Sequence, residues 1–194
     1  YKRQIDLIQL ARIESRQEIF EAEALELGNI LLDSIESFAP VAESKSLDLQ
    51  LEAPKTLSMR GDAEGIRTIL DNLISNAIRY TPDGGTVNVK CMATDAVVQL
   101  EIRDTGIGIA KEHRARIFER FYRIDKARSR DLGGTGLGLS IVKHLAQALN
   151  GTIEVESEIG RGSCFRVTLP LNIETQAAVE LPPSPDNDVP NSYA

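Results

Sequence analysis

The stretch 62–80 most constrains the fold. Its apolar residues Ile66, Ile69, Leu70, Leu73, Ile74, Ala77 and Ile78 recur at i, i+3, i+4, i+7, i+8, i+11 and i+12, the repeat of a helix that buries one face. TPDGG (81–85) ends it, because Pro and paired Gly break helices. Two alternating stretches follow, TVNVKCMA (86–93) and AVVQLEIRD (96–104), joined by a short polar turn. Strands so closely joined pair antiparallel, and half-buried strands need a helical layer to cover their apolar side. The expected class is therefore α+β: a two-layer sandwich with a mixed, mostly antiparallel sheet, helices on one face and a long helix in front.

The rest of the chain fits this frame. LDLQLE (47–52) alternates like a strand, as do TIEVES (152–157) and SCFRVTLP (163–170) around the turn EIGRG. Residues 27–38 and 139–149 read as helices, the latter closed by Asn150-Gly151 in C-cap position. Residues 1–27 hold no Gly or Pro and are rich in helix formers. Ile5, Leu7, Ile8, Leu10, Ala11 and Ile13 spread around the helical wheel, which predicts packing against more than one neighbour. From about 172 the periodicity dissolves into a Pro-, Asn- and Asp-containing tail, expected to be disordered.

Composition removes several functions. With 22 Lys+Arg against 29 Asp+Glu the net charge is −7, which argues against nucleic acid as a partner. No run reaches the roughly 18 apolar residues of a membrane span. Cys91 and Cys164 stand far apart without Cys or His neighbours, so neither a disulfide framework nor a zinc site is indicated and a reducing cytoplasm is the default. The chain opens on Tyr1 inside a helical pattern, which reads as a piece of a longer protein.

Three segments carry chemistry. On the 62–80 helix, Asn72, Asn76 and Arg79/Tyr80 share a polar stripe beside the apolar face. Carboxamide oxygens suit Mg²⁺, and Arg suits phosphate; hydrogen bonds to neighbouring loops are the plainer use. EIRDTGIGI (101–109) ends a strand on Asp104 and turns through Gly106 and Gly108. Such a carboxylate can accept a hydrogen bond from an exocyclic amine, although many ordinary turns look the same. GGTGLGLS (133–140) runs into a helix, where backbone N–H groups and the helix dipole cradle phosphate. It is neither a Walker sequence nor a dinucleotide fingerprint. Between the glycine segments, Arg114, Arg116, Arg120, Arg123, Arg128 and Arg130 make a basic island, either a solvated loop or a lid whose Phe118 and Phe121 anchor it in an apolar crevice.

Taken in order, DNLISNAIRYT, DTGIGI, FERFYR, GGTGLGLS and GRGSCFRVTLP resemble the five boxes of the sensor histidine kinases: the N box, first glycine box, F box, and second and third glycine boxes. These kinases belong to the GHKL superfamily with its Bergerat-type ATP-binding sandwich. The resemblance covers roughly residues 28–171, and residues 1–27, with LARIESRQ, resemble the second helix of the family's dimerisation and phosphotransfer hairpin. The resemblance implies ATP and Mg²⁺ as ligands. Asn76 would hold the metal and Asn72 would support it, with Asn72 and Arg79 the catalytic candidates. Arg79 and Tyr80 would lie by phosphates and ribose, and Asp104 would read the adenine amine. Gly106, Gly108 and Ile109 would shape that pocket and Thr168 would assist. Phe121, Arg123, Arg128, Gly134, Thr135, Gly136, Leu137 and Gly138 would belong to the lid and phosphate loop.

One departure stands out. The family's phosphoacceptor is a His before an acidic residue on the first hairpin helix, and the only histidines here, His113 and His144, stand elsewhere. The resemblance thus implies that the γ-phosphoryl goes to a His on a helix outside this chain, in the same protein or its dimer mate, and then to a response regulator. It further implies a cytoplasmic place for this part and an inner-membrane anchor for the parent. The alternative is an ATP-hydrolysing switch like the related chaperones, gyrases and mismatch-repair proteins. These carry a Glu one turn before the metal Asn to activate water; here Asn72 holds that place, and a carboxamide cannot take the proton.

Overall fold

A computed structural model describes residues 22–54, 56–124 and 135–172. In chain order the elements are β1 (Glu23–Glu26), α1 (Leu27–Ser44), β2 (Asp48–Glu52), β3 (Ser58–Gly61), α2 (Ala63–Tyr80), β4 (Thr86–Ala93), β5 (Val97–Asp104), α3 (Gly138–Ala148), β6 (Thr152–Glu158) and β7 (Gly162–Pro170). Two 3₁₀ turns, Lys111–His113 and Arg116–Phe118, follow β5. The main sheet has the order β2-β4-β5-β7-β6. β2 runs parallel to β4 and every other pair is antiparallel. The expected α+β sandwich with a mixed, mostly antiparallel sheet is what is found.

Period-two alternation decides which side of the sheet is covered. Val87, Val89 and Cys91 of β4, Val98, Leu100 and Ile102 of β5, and Phe165, Val167 and Leu169 of β7 are buried. They meet the apolar stripe of α2, whose Ile66, Ile69, Leu70, Leu73 and Ile74 are fully buried, and Ile141, Val142 and Leu145 of α3. The opposite face carries polar side chains. There Arg166 bonds Glu101 at 2.7 Å and Glu156 at 3.2 Å, with Glu154 at 3.9 Å.

Two local expectations need correction. Residues 23–26, expected to end a helix, form β1 and pair antiparallel with β3. Four-residue strands have too little length to show a period, so backbone pairing and the burial of Leu25 and Met59 decide the conformation. α1 continues past Phe38 through Pro40 to Ser44; the ring removes one N–H donor, and burial of Ala42 and Leu47 beyond it favours the extra turn. Most of the expected N-terminal helix, 1–21, and the tail 173–194 lie outside the described residues. Among the described residues no helix is long and apolar enough to cross a membrane.

α2 is closed carefully at both ends. The Asp62 side chain accepts from Gly65 N at 2.9 Å as N-cap. At the far end Lys45 donates to the carbonyls of Ile78 at 2.7 Å and Thr81 at 2.6 Å, placing a cation where the helix dipole is negative. Lys45→Met should therefore destabilise the fold by about 1.5–3 kcal/mol, the range for hydrogen bonds to charged groups. Urea unfolding with an unchanged slope would measure it.

Candidate functional site

Asp104 ends β5 on its buried side and is only 6% exposed. Its Oδ1 accepts from Gly106 N at 2.8 Å and from Ser163 N at 3.2 Å; neither bond uses Oδ2. Burial pushes this carboxyl above the ordinary carboxylate range, and the two backbone bonds only partly offset it. A mostly buried carboxylate oxygen left without a backbone donor is, when ionised, a strong acceptor. Close approach explains the glycines around it. A Cβ on Gly106 would stand 2.6 Å from both Asp104 Oδ1 and Tyr80 O. Gly108 has φ +70°, and a Cβ there would collide with the Glu158 carbonyl.

The polar stripe of α2 links the two glycine segments. At its C-terminal end Tyr80 O accepts from Ile107 N at 3.2 Å, which ties the helix to the DTGIGI loop. Two turns earlier, Asn72 lies against the start of α3: a Cβ on Gly138 would be 2.7 Å from Asn72 Oδ1. Asn72 Nδ2 donates to Thr68 O at 2.8 Å, which turns the carboxamide oxygen toward Gly138. Asn76 and Arg79 lie between, both half-buried. α3 begins at Gly138 with no side-chain cap among the described residues, which leaves its first N–H groups suited to an anion. Leu137 is buried, and its N–H donates to Thr135 Oγ1 at 3.3 Å.

The segment after β5 returns to this place. Phe121, at φ +60°, donates its N–H to Gly136 O at 2.9 Å, and the Arg123 stem passes Gly136. Nε and Nη2 of Arg123 are buried and, among the described residues, hydrogen-bond to nothing. A buried guanidinium without a partner is costly, and an anion would relieve it. Phe118 packs against the core as expected, but Phe121 is 60% exposed rather than buried as an anchor; the Gly136 bond holds its backbone while its ring faces solvent. Arg128 and Gly134 lie outside the described residues. His113 bonds the Tyr122 hydroxyl at 2.7 Å, with Arg116 over the Tyr122 ring. His144 is 3.4 Å from Arg120, and burial, then the charges of Arg120 and Lys143, lower its pKa.

Thr168 is misplaced by sequence reasoning. It pairs with Gln99 and Thr152 on the polar face of the sheet, hydrogen-bonded to Gln99 at 3.4 Å. Five residues separate it from Ser163, and an odd step along a strand crosses to the other face. The side chain on the Asp104 side is Ser163, directly opposite Asp104 in register. Ser157, opposite Ser163 on β6, was missed as well. Its hydroxyl receives Ile109 N at 2.8 Å, and Arg114 Nε donates to Ile109 O at 3.3 Å. Only cross-strand register reveals these serines; no local pattern marks them.

The family described as "Histidine kinase-, DNA gyrase B-, and HSP90-like ATPase" matches residues 61–173. The sensor-like histidine kinase SenX3 of Mycobacterium tuberculosis is 40% identical over 177 residues, 91% of this chain and 43% of that protein. The sensor histidine kinase CusS of Escherichia coli is 39% identical over 165 residues, 85% of this chain and 34% of that protein. The chain thus spans less than half the length of these relatives. Among solved structures, full-length ShkA in complex with AMPPNP superposes with a TM-score of 0.76 at 28% identity, covering 88% of this chain and 35% of that one.

Proposed function

Because this chain belongs to the histidine kinase-, DNA gyrase B- and HSP90-like ATPase family, we propose that it is the ATP-binding catalytic domain of a sensor histidine kinase. The carrying observation is the α2 stripe, which meets the Asp104 loop at Tyr80 and the α3 N-terminus at Asn72. A purine on Asp104 and phosphates at Gly138 would span the distance between. Nε and Nη2 of Arg123, buried and unbonded among the described residues, support an anion there, and resemblance to ShkA, solved with AMPPNP, supports the nucleotide.

The residues also fit a magnesium ion. The Asn76 carboxamide has no protein partner among the described residues, and Asn72 turns its oxygen toward the start of α3; both offer the hard oxygen that Mg²⁺ prefers. Magnesium, when bound, neutralises charge on the phosphate oxygens. Asn76 would hold the ion, Arg79 and Arg123 would meet phosphate oxygens, and the first N–H groups of α3 would donate to the phosphate tail. Asp104 orients the base. The rate gain comes from positioning and charge neutralisation, which align the γ-phosphoryl for in-line attack by an imidazole nitrogen as the bond to the ADP oxygen breaks. The imidazole belongs to a phosphoacceptor His helix of the parent protein or its dimer mate, and a response regulator then receives the phosphoryl group.

Asn76→Ala should weaken ATP binding in magnesium about tenfold or more while leaving the weaker, metal-free binding unchanged. Calorimetry with Mg²⁺ and with a chelator separates the two. The transfer itself is tested by incubating the chain with labelled ATP and a separate hairpin bearing the acceptor His. Label should appear on the hairpin, with little free phosphate, since Asn72 cannot serve as a base for water. Release of phosphate to water without labelling of the hairpin would replace the kinase by an ATPase switch.

A further inference from the structure

Ser157 lies outside every motif that the sequence offers, yet its hydroxyl is the most heavily used on this side of the sheet. Its Oγ is 2.9 Å from Gly162 O, 2.9 Å from Ser163 Oγ and 2.8 Å from Ile109 N. A hydroxyl has one proton to give and two lone pairs. The assignment that satisfies all three is donation to Gly162 O with acceptance from Ile109 N–H and the Ser163 hydroxyl. Nothing is left for water or a ligand.

Gly162 C=O and Ser163 N–H belong to one planar peptide unit. Ser157 holds the oxygen side of that plane, and the nitrogen side donates to Asp104 Oδ1. The second donor to Asp104 Oδ1 is Gly106 N, in the loop whose far end, Ile109, Ser157 also grips. One hydroxyl therefore controls both backbone donors that orient the Asp104 carboxylate. The loop is further pinned to the β6–β7 turn where Gly160 N donates to Ile107 O at 2.9 Å.

We propose that Ser157 is a positioning residue for base selectivity: it does not touch the nucleotide but fixes the peptide plane and the loop that aim Asp104 Oδ2 at the purine's exocyclic amine. This rests on the reading of Asp104 as the base-recognition group. Loss of the Ser157 hydroxyl leaves Asp104 in place but able to turn. The consequence is a loss of discrimination between purines that carry the amine and those that lack it.

The test compares ATP with purine ribonucleoside triphosphate, which lacks that amine, by calorimetry on the 194-residue chain. Wild type should prefer ATP about tenfold or more, the value of a hydrogen bond to a charged group. In Ser157→Ala the preference should shrink roughly three- to fivefold, mainly through weaker ATP binding, and Ser157→Thr, which keeps a hydroxyl, should restore it. Ser157→Cys, close in size and a poor acceptor, should repeat the alanine result if the alanine variant fails to fold. Equal weakening of both nucleotides, or an unchanged preference in a folded Ala or Cys variant, would make Ser157 merely structural and overturn the proposal. A wild type that shows no preference would instead remove the reading of Asp104 itself.

Discussion

Asp104→Asn is expected to weaken ATP binding about ten- to hundredfold while raising the melting temperature of the nucleotide-free protein. The first effect follows from where the two carboxylate oxygens stand. Gly106 N and Ser163 N both donate to Oδ1, so the amide must keep its own oxygen there and present its NH₂ where Oδ2 had been. A donor then faces the donor of the base, and a charge-assisted bond of about 1.5–3 kcal/mol is lost. The second effect follows from burial. The folded state holds the Asp104 proton more tightly than the unfolded chain does, so ionisation costs stability as pH rises from the ordinary carboxylate range through the raised value. At neutral pH the wild type carries that cost and the amide does not; below the ordinary range the two should converge. Thermal melts across that window, paired with calorimetry, check both. A variant that lost affinity and stability together would mean that Asp104 holds the fold rather than the ligand.

Gly162→Ala is expected to cost about 3–5 kcal/mol and to lower the melting temperature by about 10 °C. Gly162 has φ +99°, where an L side chain is strained, and its Cβ would be driven into the Asp104 carbonyl. Relief requires opening the β5–β7 ladder at Asp104↔Ser163, so any folded fraction should also bind ATP more weakly. Gly160→Ala supplies the control. Its φ is +77°, but nothing lies within 4 Å of the added Cβ, and the loss should stay near the strain of about 1 kcal/mol. Equal losses at the two positions would show that backbone strain, not the approach of β5, governs this turn.

How much of this could be read from sequence depends on the range of each signal. Alternation places β4, β5 and β7 to within a residue, because half-buried strands of eight or nine residues show several periods. The apolar repeat from Ile66 to Ile78, stopped by TPDGG, fixes α2 equally well. The ribbon β1–β3 is too short to show a period, and Pro40 suggests a stop that packing overrides. In the site, Asn72, Asn76 and Arg79 are legible because one helix carries them at helical spacing. Ser157 and Ser163 are not, since their importance arises from the pairing of β6 with β7 and of β7 with β5. Thr168 shows the same lesson from the other side: a residue assigned through the resemblance falls on the face of its strand opposite to Asp104.

The order of strands leaves β2 and β6 as the two margins of the main sheet. β2 carries Asp48 and Glu52 at its two ends, and β6 carries Glu154, Glu156 and Glu158 at alternate positions, so both margins bear carboxylates. Two molecules approaching margin to margin would set like charges against one another in a row before any backbone bond could form. On a chain with a net charge of −7, this guards against runaway polymerisation, and self-association is discouraged where an open ladder most invites it.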